Sequence, residues 1–93
     1  MNVIVADVWY TVSDETYYVC NPPGRYQDQY GGGHVAEVIA RAEADGWQSA
    51  GYVGRHDFEH VRMWSRGVGP FGPLEWIAIW DENEQPVKAS ATR

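Results

Sequence analysis

The segment His56-Asp57-Phe58-Glu59-His60 places two of the chain's three histidines four residues apart, with two carboxylates between them. On a helix, positions i and i+4 share a face. Two histidines so spaced can hold one zinc ion with a glutamate acting as base, the arrangement of His-Glu-x-x-His metalloproteases. Here the second position is Asp57, shorter by a methylene, and no third ligand follows downstream. On a strand the same histidines would stand about 13 Å apart, too far to share a metal. Val61 and Met63 alternate with Arg62 and Trp64, and Gly51 and Gly54 precede closely, so a turn leading into a strand is the favoured reading. A helix through 57–66 stays open, because Phe58, Val61 and Trp64 would share a face and Gly67 could cap it. The strand reading assigns no metal and no cofactor.

Other residue types capable of chemistry lead no further. Cys20 has three histidines as potential partners, but it closes an alternating aromatic stretch, where a thiol is a structural residue before it is a nucleophile. Serines and aspartates occur without the glycine pattern of a nucleophile elbow. Gly31-Gly32-Gly33 could offer backbone N–H groups to an anion, yet the spacing is not that of a phosphate-binding loop and no lysine follows. Glu82 and Glu84 sit in a turn that reads as solvated. No catalytic residue is assigned, and the expectation leans away from an enzyme.

The elements that must position these residues are legible from periodicity. Ile4, Ala6, Val8, Tyr10 and Val12 alternate with Val3, Val5, Asp7, Trp9 and Thr11, which predicts a strand. Ser13-Asp14 turns into a second strand, ETYYVC, giving a hairpin. The stretch 21–33, with two prolines and four glycines, reads as a long loop. From His34 to Asp45 the period changes: Val35, Val38, Ile39 and Ala42 line one helical face, with Glu37 and Arg41 paired on the wet face. Gly46 supplies the left-handed stop, and Trp47 can fold back on the last turn. WQSAGYV, EHVRMWSR and LEWIAIW predict three further strands, and 86–93 is either an edge strand or a frayed tail. The fold class is therefore α+β, a single domain of order β-β-α-β-β-β over 1–93, with one helix on a mostly antiparallel sheet.

A helix ending at Gly46-Trp47-Gln48, followed by a strand, a turn and a strand closing in Met63-Trp64-Ser65-Arg66, resembles a loose group of small uncharacterised domains. In that group the helix ends Gly-Trp-Glu and the hairpin closes in an aromatic followed by Lys-Arg, so Gln48 and Ser65 depart from it. The resemblance spans about residues 34 to 66 and implies a β-α-β-β core with no established activity.

Five tryptophans in 93 residues carry the functional expectation. If the helix covers the face holding Ile4, Ala6, Val8 and Tyr10, together with Ile77 and Ile79, then Trp9, Trp76 and Trp80 lie on the other face. The same parity places Trp64 there, with His60 and Arg62, opposite Val61 and Met63. A four-stranded sheet with one helix would leave that face open, and contiguous apolar patches above a few hundred Å² mark interaction sites. The cover could be a second copy of the chain, a partner protein anchored on Trp, Tyr and Arg, or a planar ligand stacked on tryptophan under the 21–33 loop with its Arg25, Tyr26 and Tyr30. The long Pro/Gly loops could also pack both faces and make the tryptophans core. An interaction module is the leading reading, such as the small acidic accessory or inhibitor proteins of mobile elements, with a small-molecule binder as the alternative.

Charge and length set the frame. Thirteen acidic residues against seven Lys and Arg give −6, which repels phosphate backbones and disfavours nucleic acid as a partner. The acids are spread along the chain, which speaks for solubility over imitation of DNA. A chain of this size buries roughly 60–70% of its unfolded surface, enough for one core. One cysteine excludes an internal disulfide framework, the N-terminal run has no basic region, and no apolar stretch reaches the roughly 20 residues of a membrane span. A soluble cytoplasmic protein is expected.

Overall fold

The computed structural model describes residues 3–54 and 60–83; His56 to Glu59 of the histidine segment and the tail 86–93 lie outside them. The elements are β1 (Val3–Thr11), β2 (Thr16–Cys20), α1 (Gln27–Tyr30), α2 (Val35–Ala44), β3 (Gln48–Val53), β4 (Val61–Arg66) and β5 (Glu75–Asp81). The five strands form one sheet in the order β2-β1-β5-β4-β3, with every neighbouring pair antiparallel. This is the α+β architecture expected, with one addition: the 21–33 stretch is not all loop but carries the single turn α1. Among the described residues no helix is long and apolar enough to cross a membrane.

Local chemistry accounts for the ends of α2. Glu37 Oε1 accepts the His34 backbone N–H at 3.0 Å, which satisfies a donor at the entry to the helix. Gly46 has φ +97°, the left-handed stop, and the Trp47 N–H returns to the Ala42 carbonyl. Arg41, paired with Glu37 on sequence grounds, turns its guanidinium to the carbonyls of Tyr30 and Gly32 and ties α2 to the end of α1.

The stretch before α2 completes the sheet. β2 pairs with β1 only from Asp7 to Thr11, so the edge of β1 from Val3 to Val5 needs other partners. The Gln27 side chain supplies two: its Oε1 accepts the Val5 N–H and its Nε2 donates to the Val3 carbonyl, each at 2.8 Å. Gly24 N–H donates to the Val5 carbonyl at 2.7 Å. A side-chain amide and one peptide unit thus stand where a longer β2 would have continued. The approach is so close that a Cβ on Gly24 would lie 2.5 Å from the Asp7 backbone nitrogen.

The sheet is buried on both faces. Val3, Val5, Trp64, Ile77 and Ile79 face the helices, where Tyr30, Val38, Ala42 and Trp47 meet them. On the other face Ala6, Val8, Val53, Val61, Met63, Ala78 and Trp80 form a second core, flanked by Ile4, Tyr17, Val19, Ala50 and Trp76. Among the described residues no helix covers that second core. The sheet curls so that its two edge strands, β2 and β3, come into contact across it. A bulge in β3 between Ser49 and Tyr52, with Gly51 at φ +99°, bends that edge inward.

Two expectations about faces are corrected here. The helices cover the Val3/Val5 side of β1, not the Ile4/Ala6/Val8 side, so Trp9 shares the helix face. Trp64 is also on the helix face, fully buried, opposite Ile77, with its indole N–H donated to Glu43 Oε2 at 2.9 Å. The cause is that β1 is apolar on both sides and β4 carries large apolar residues on both, Val61 and Met63 on one and Trp64 between two arginines on the other, so alternation alone does not say which side meets the helix. Register does: Val5 stands opposite Ile79 and Trp64 opposite Ile77, and directly paired residues share a face.

Candidate functional site

The ladder between β1 and β5 ends at Val8 opposite Trp76. Beyond it the strands separate: β1 runs on with β2 alone, while Glu75 pairs with Arg66 of β4. The wedge between them is a cleft of about 330 Å³, lined by Asp7, Val8, Trp9, Tyr10, Arg25, Leu74, Glu75 and Trp76. Its volume is at the small end of the ligand-site range of about 300–1,000 Å³.

One wall is aromatic and exposed. Trp9 lies past the reach of the helices and is 65% exposed, opposite a partly exposed Tyr18 on β2. Leu74, 62% exposed, comes from the other side at the end of the 67–74 loop. That loop is held by the Gly69–Gly72 bridge, and the Leu74 side chain packs where side chains on Gly67 and Gly69 would otherwise be. At its tip Phe71 is 99% exposed and Val68 nearly as much. Tyr10 and Trp76 meet Tyr17 on the far-face side of the wedge, with Tyr10–Tyr17 centroids 4.8 Å apart and Tyr17–Trp76 centroids 5.6 Å apart.

The floor is charged. Arg25 lies 3.7 Å from Asp7 and 3.9 Å from Glu75, distances of loose ion pairing; its side chain is largely exposed, with the guanidinium over the Tyr26 ring at 5.1 Å. Asp7 Oδ1 is itself enclosed, with no hydrogen-bond donor among the described residues. Glu75 is held from behind: it accepts from the Tyr26 hydroxyl and from Arg66, the latter at 3.4 Å. The Tyr26 hydrogen bond, aided by Arg66 and Arg25 and opposed by burial, keeps the Glu75 carboxyl below the usual glutamate range. Burial first, and then Glu75, push the Tyr26 hydroxyl up.

Behind this floor Tyr30, Trp47 and Arg66 knit helix, strand and loop together. Trp47 Nε1 donates to the Tyr30 hydroxyl at 3.0 Å, which donates to Asp45 at 2.9 Å. Arg66 stacks over the Trp47 ring, 4.4 Å from its centroid. This network positions the cleft and is not open to a ligand.

The residues expected to share one binding face are therefore divided. Trp9, Trp76 and Arg25 meet at the cleft. Tyr26 and Tyr30 stand behind it. Trp64 is in the helix-side core and Trp80 in the far-face core. Arg62 lies over the Trp64 ring at 4.8 Å, on an exposed part of β4, and His60 is half-buried just before that strand. Sequence reasoning missed Asp7, Leu74 and Glu75 as site residues. Asp7 had a signal, a carboxylate inside a run of valines, whereas Glu75 and Leu74 are placed by strand separation that no local pattern encodes.

Among the described residues no group of three or more His, Cys, Asp and Glu side chains is placed to hold a metal ion. Burial and Asp7 raise the Cys20 thiol, which is the reverse of nucleophile activation. The chain matches no family model, no curated protein and no solved structure.

Proposed function

We propose that this chain is a non-catalytic interaction module that binds a segment of a partner protein at the β1–β5 cleft, with Trp9 as the anchor. The observation that carries this reading is the exposure of Trp9 and Leu74 around one cleft in a protein whose other tryptophans are buried or half-buried. Tryptophan on rigid strands loses little conformational freedom on binding, and such anchors dominate interface energies. Glu75 is held ionised and Tyr26 held neutral, so neither is tuned towards proton transfer near neutral pH. That favours binding over acid–base catalysis.

The expected interface on the sheet face of Trp76 and Trp80 moves accordingly, because the curl of the sheet already covers most of that face. A second reading, a planar small molecule stacked on Trp9 beneath Arg25, draws on the same cleft and its modest volume.

Selection from a random peptide display library, run in parallel on the parent and on Trp9→Ala, tests the module. Peptides enriched on the parent and lost on the folded variant are the expected result. Equal enrichment on both proteins, or none on either, removes the reading.

A further inference from the structure

Resting on that reading, we infer that the cleft is built for a cationic side chain: the arginine or lysine of a partner protein enters between Trp9 and the Asp7–Glu75 carboxylates, displacing Arg25. The charges of the lining point this way. Asp7 and Glu75 both line the cleft; Arg66 answers Glu75 from behind, which leaves Arg25 as the cation on the open side of both carboxylates, on a chain whose net charge of −6 disfavours an anionic partner at long range. Asp7 Oδ1 is enclosed without a hydrogen-bond donor, an acceptor that an incoming N–H group can satisfy. Arg25 holds both carboxylates only loosely, at 3.7 and 3.9 Å, with its side chain 66% exposed. Release of so loose and exposed a pair costs little. The aromatic wall completes the chemistry, because the face of a tryptophan attracts a cation that stacks on it. Arg25 is thus a placeholder, an internal copy of the group that the partner supplies.

The consequence is unusual in sign. A residue lining a binding cleft normally contributes to affinity, whereas removal of Arg25 strengthens binding by freeing Asp7, the cleft side of Glu75 and the space above them, while Tyr26 and Arg66 still hold Glu75 from behind. The test uses the acetylated, amidated tripeptide Gly-Arg-Gly and its norleucine counterpart, followed by amide and indole NMR of the whole chain. The arginine peptide is expected to shift the Trp9 indole and Asp7 amide signals saturably, and the norleucine peptide to bind roughly tenfold more weakly or not at all. Arg25→Ala tightens the arginine peptide by about threefold or more, and Asp7→Asn, which keeps the shape of the side chain, weakens it by a similar factor.

Loss of binding in Arg25→Ala would overturn the inference and make Arg25 a reader of anionic partners. Equal binding of the norleucine peptide, no saturable shift with the arginine peptide, or self-association that Trp9→Ala abolishes would overturn it too. Display selection that returns Trp9-dependent peptides without basic residues sinks this inference alone and leaves the interaction module standing. Selection that returns nothing removes the module itself.

Discussion

The Tyr30 hydroxyl is the point at which loop, helix and sheet are joined. It accepts from Trp47 and from Arg66 and donates to Asp45. Tyr30→Phe leaves the Trp47 indole N–H without its acceptor inside the core. The expected loss of stability is about 1–3 kcal/mol by urea unfolding, with the volume of the core almost unchanged. Glu75 gives a second, pH-dependent test. Its folded carboxyl is shifted down, so its contribution is fully present above the ordinary glutamate value of about 4.3 and is lost as pH falls through the lower folded value. Tyr26 is shifted up, so its contribution is present below its ordinary value and lost as pH rises through the higher folded one. Glu75→Gln should therefore melt below the parent at neutral pH, and the gap should close only in acid, below the usual glutamate range. A gap that persists unchanged in acid would show that the amide disturbs packing and that the carboxylate charge is not what matters. Residues such as these were not legible in advance. Their types are ordinary, and only the fold brings Tyr26, Arg66 and Glu75 to one point.

At the scale of elements, legibility follows how local the signal is. Helix α2 reads directly from its i, i+3, i+4, i+7 stripe and its glycine stop, and the β1–β2 hairpin from alternation around a short turn. Gly46→Val tests the stop: a β-branched residue forced to φ +97° should cost on the order of 1 kcal/mol or more. The 21–33 stretch was opaque because its structure is not periodic. Gln27 belongs to the sheet through its side chain, and Gly24 through a single N–H. Gly24→Ala puts a methyl against the Asp7 backbone and should cost about 1–3 kcal/mol, the range for overpacking. It should also displace Arg25 next door, so calorimetry and the Trp9 indole signal should change together in this one variant. An unaltered Trp9 signal in a destabilised protein would mean that the loop and the cleft are not mechanically connected.

At the scale of the whole molecule, the strands that read as half-buried are covered twice, by helices on one side and by the curl of the sheet on the other. Apolar content announced that much burial was needed, but not how it would be achieved, since curl depends on a bulge in β3 and on contact between strands far apart in sequence. The division of the tryptophans follows from this geometry and can be measured on three of them. Trp64, wholly enclosed and bonded to Glu43, belongs to the helix-side core; Trp64→Ala should cost about 3–5 kcal/mol. Trp80 belongs to the far-face core, and Trp80→Ala should fall in the same range if the curl truly excludes water there. Trp9, most of whose surface is in water, should tolerate Ala within about 0.5 kcal/mol. Urea unfolding of the three variants separates the arrangements sharply. A Trp80 variant as stable as the parent would reopen the far face as a binding surface, and the sheet would then be flat and one-sided. A Trp9 variant that unfolds would make that side chain core and leave the cleft without its anchor. With Trp64 and Trp80 costly and Trp9 silent, Trp9 stands clear of both cores, at the cleft where β1 and β5 part.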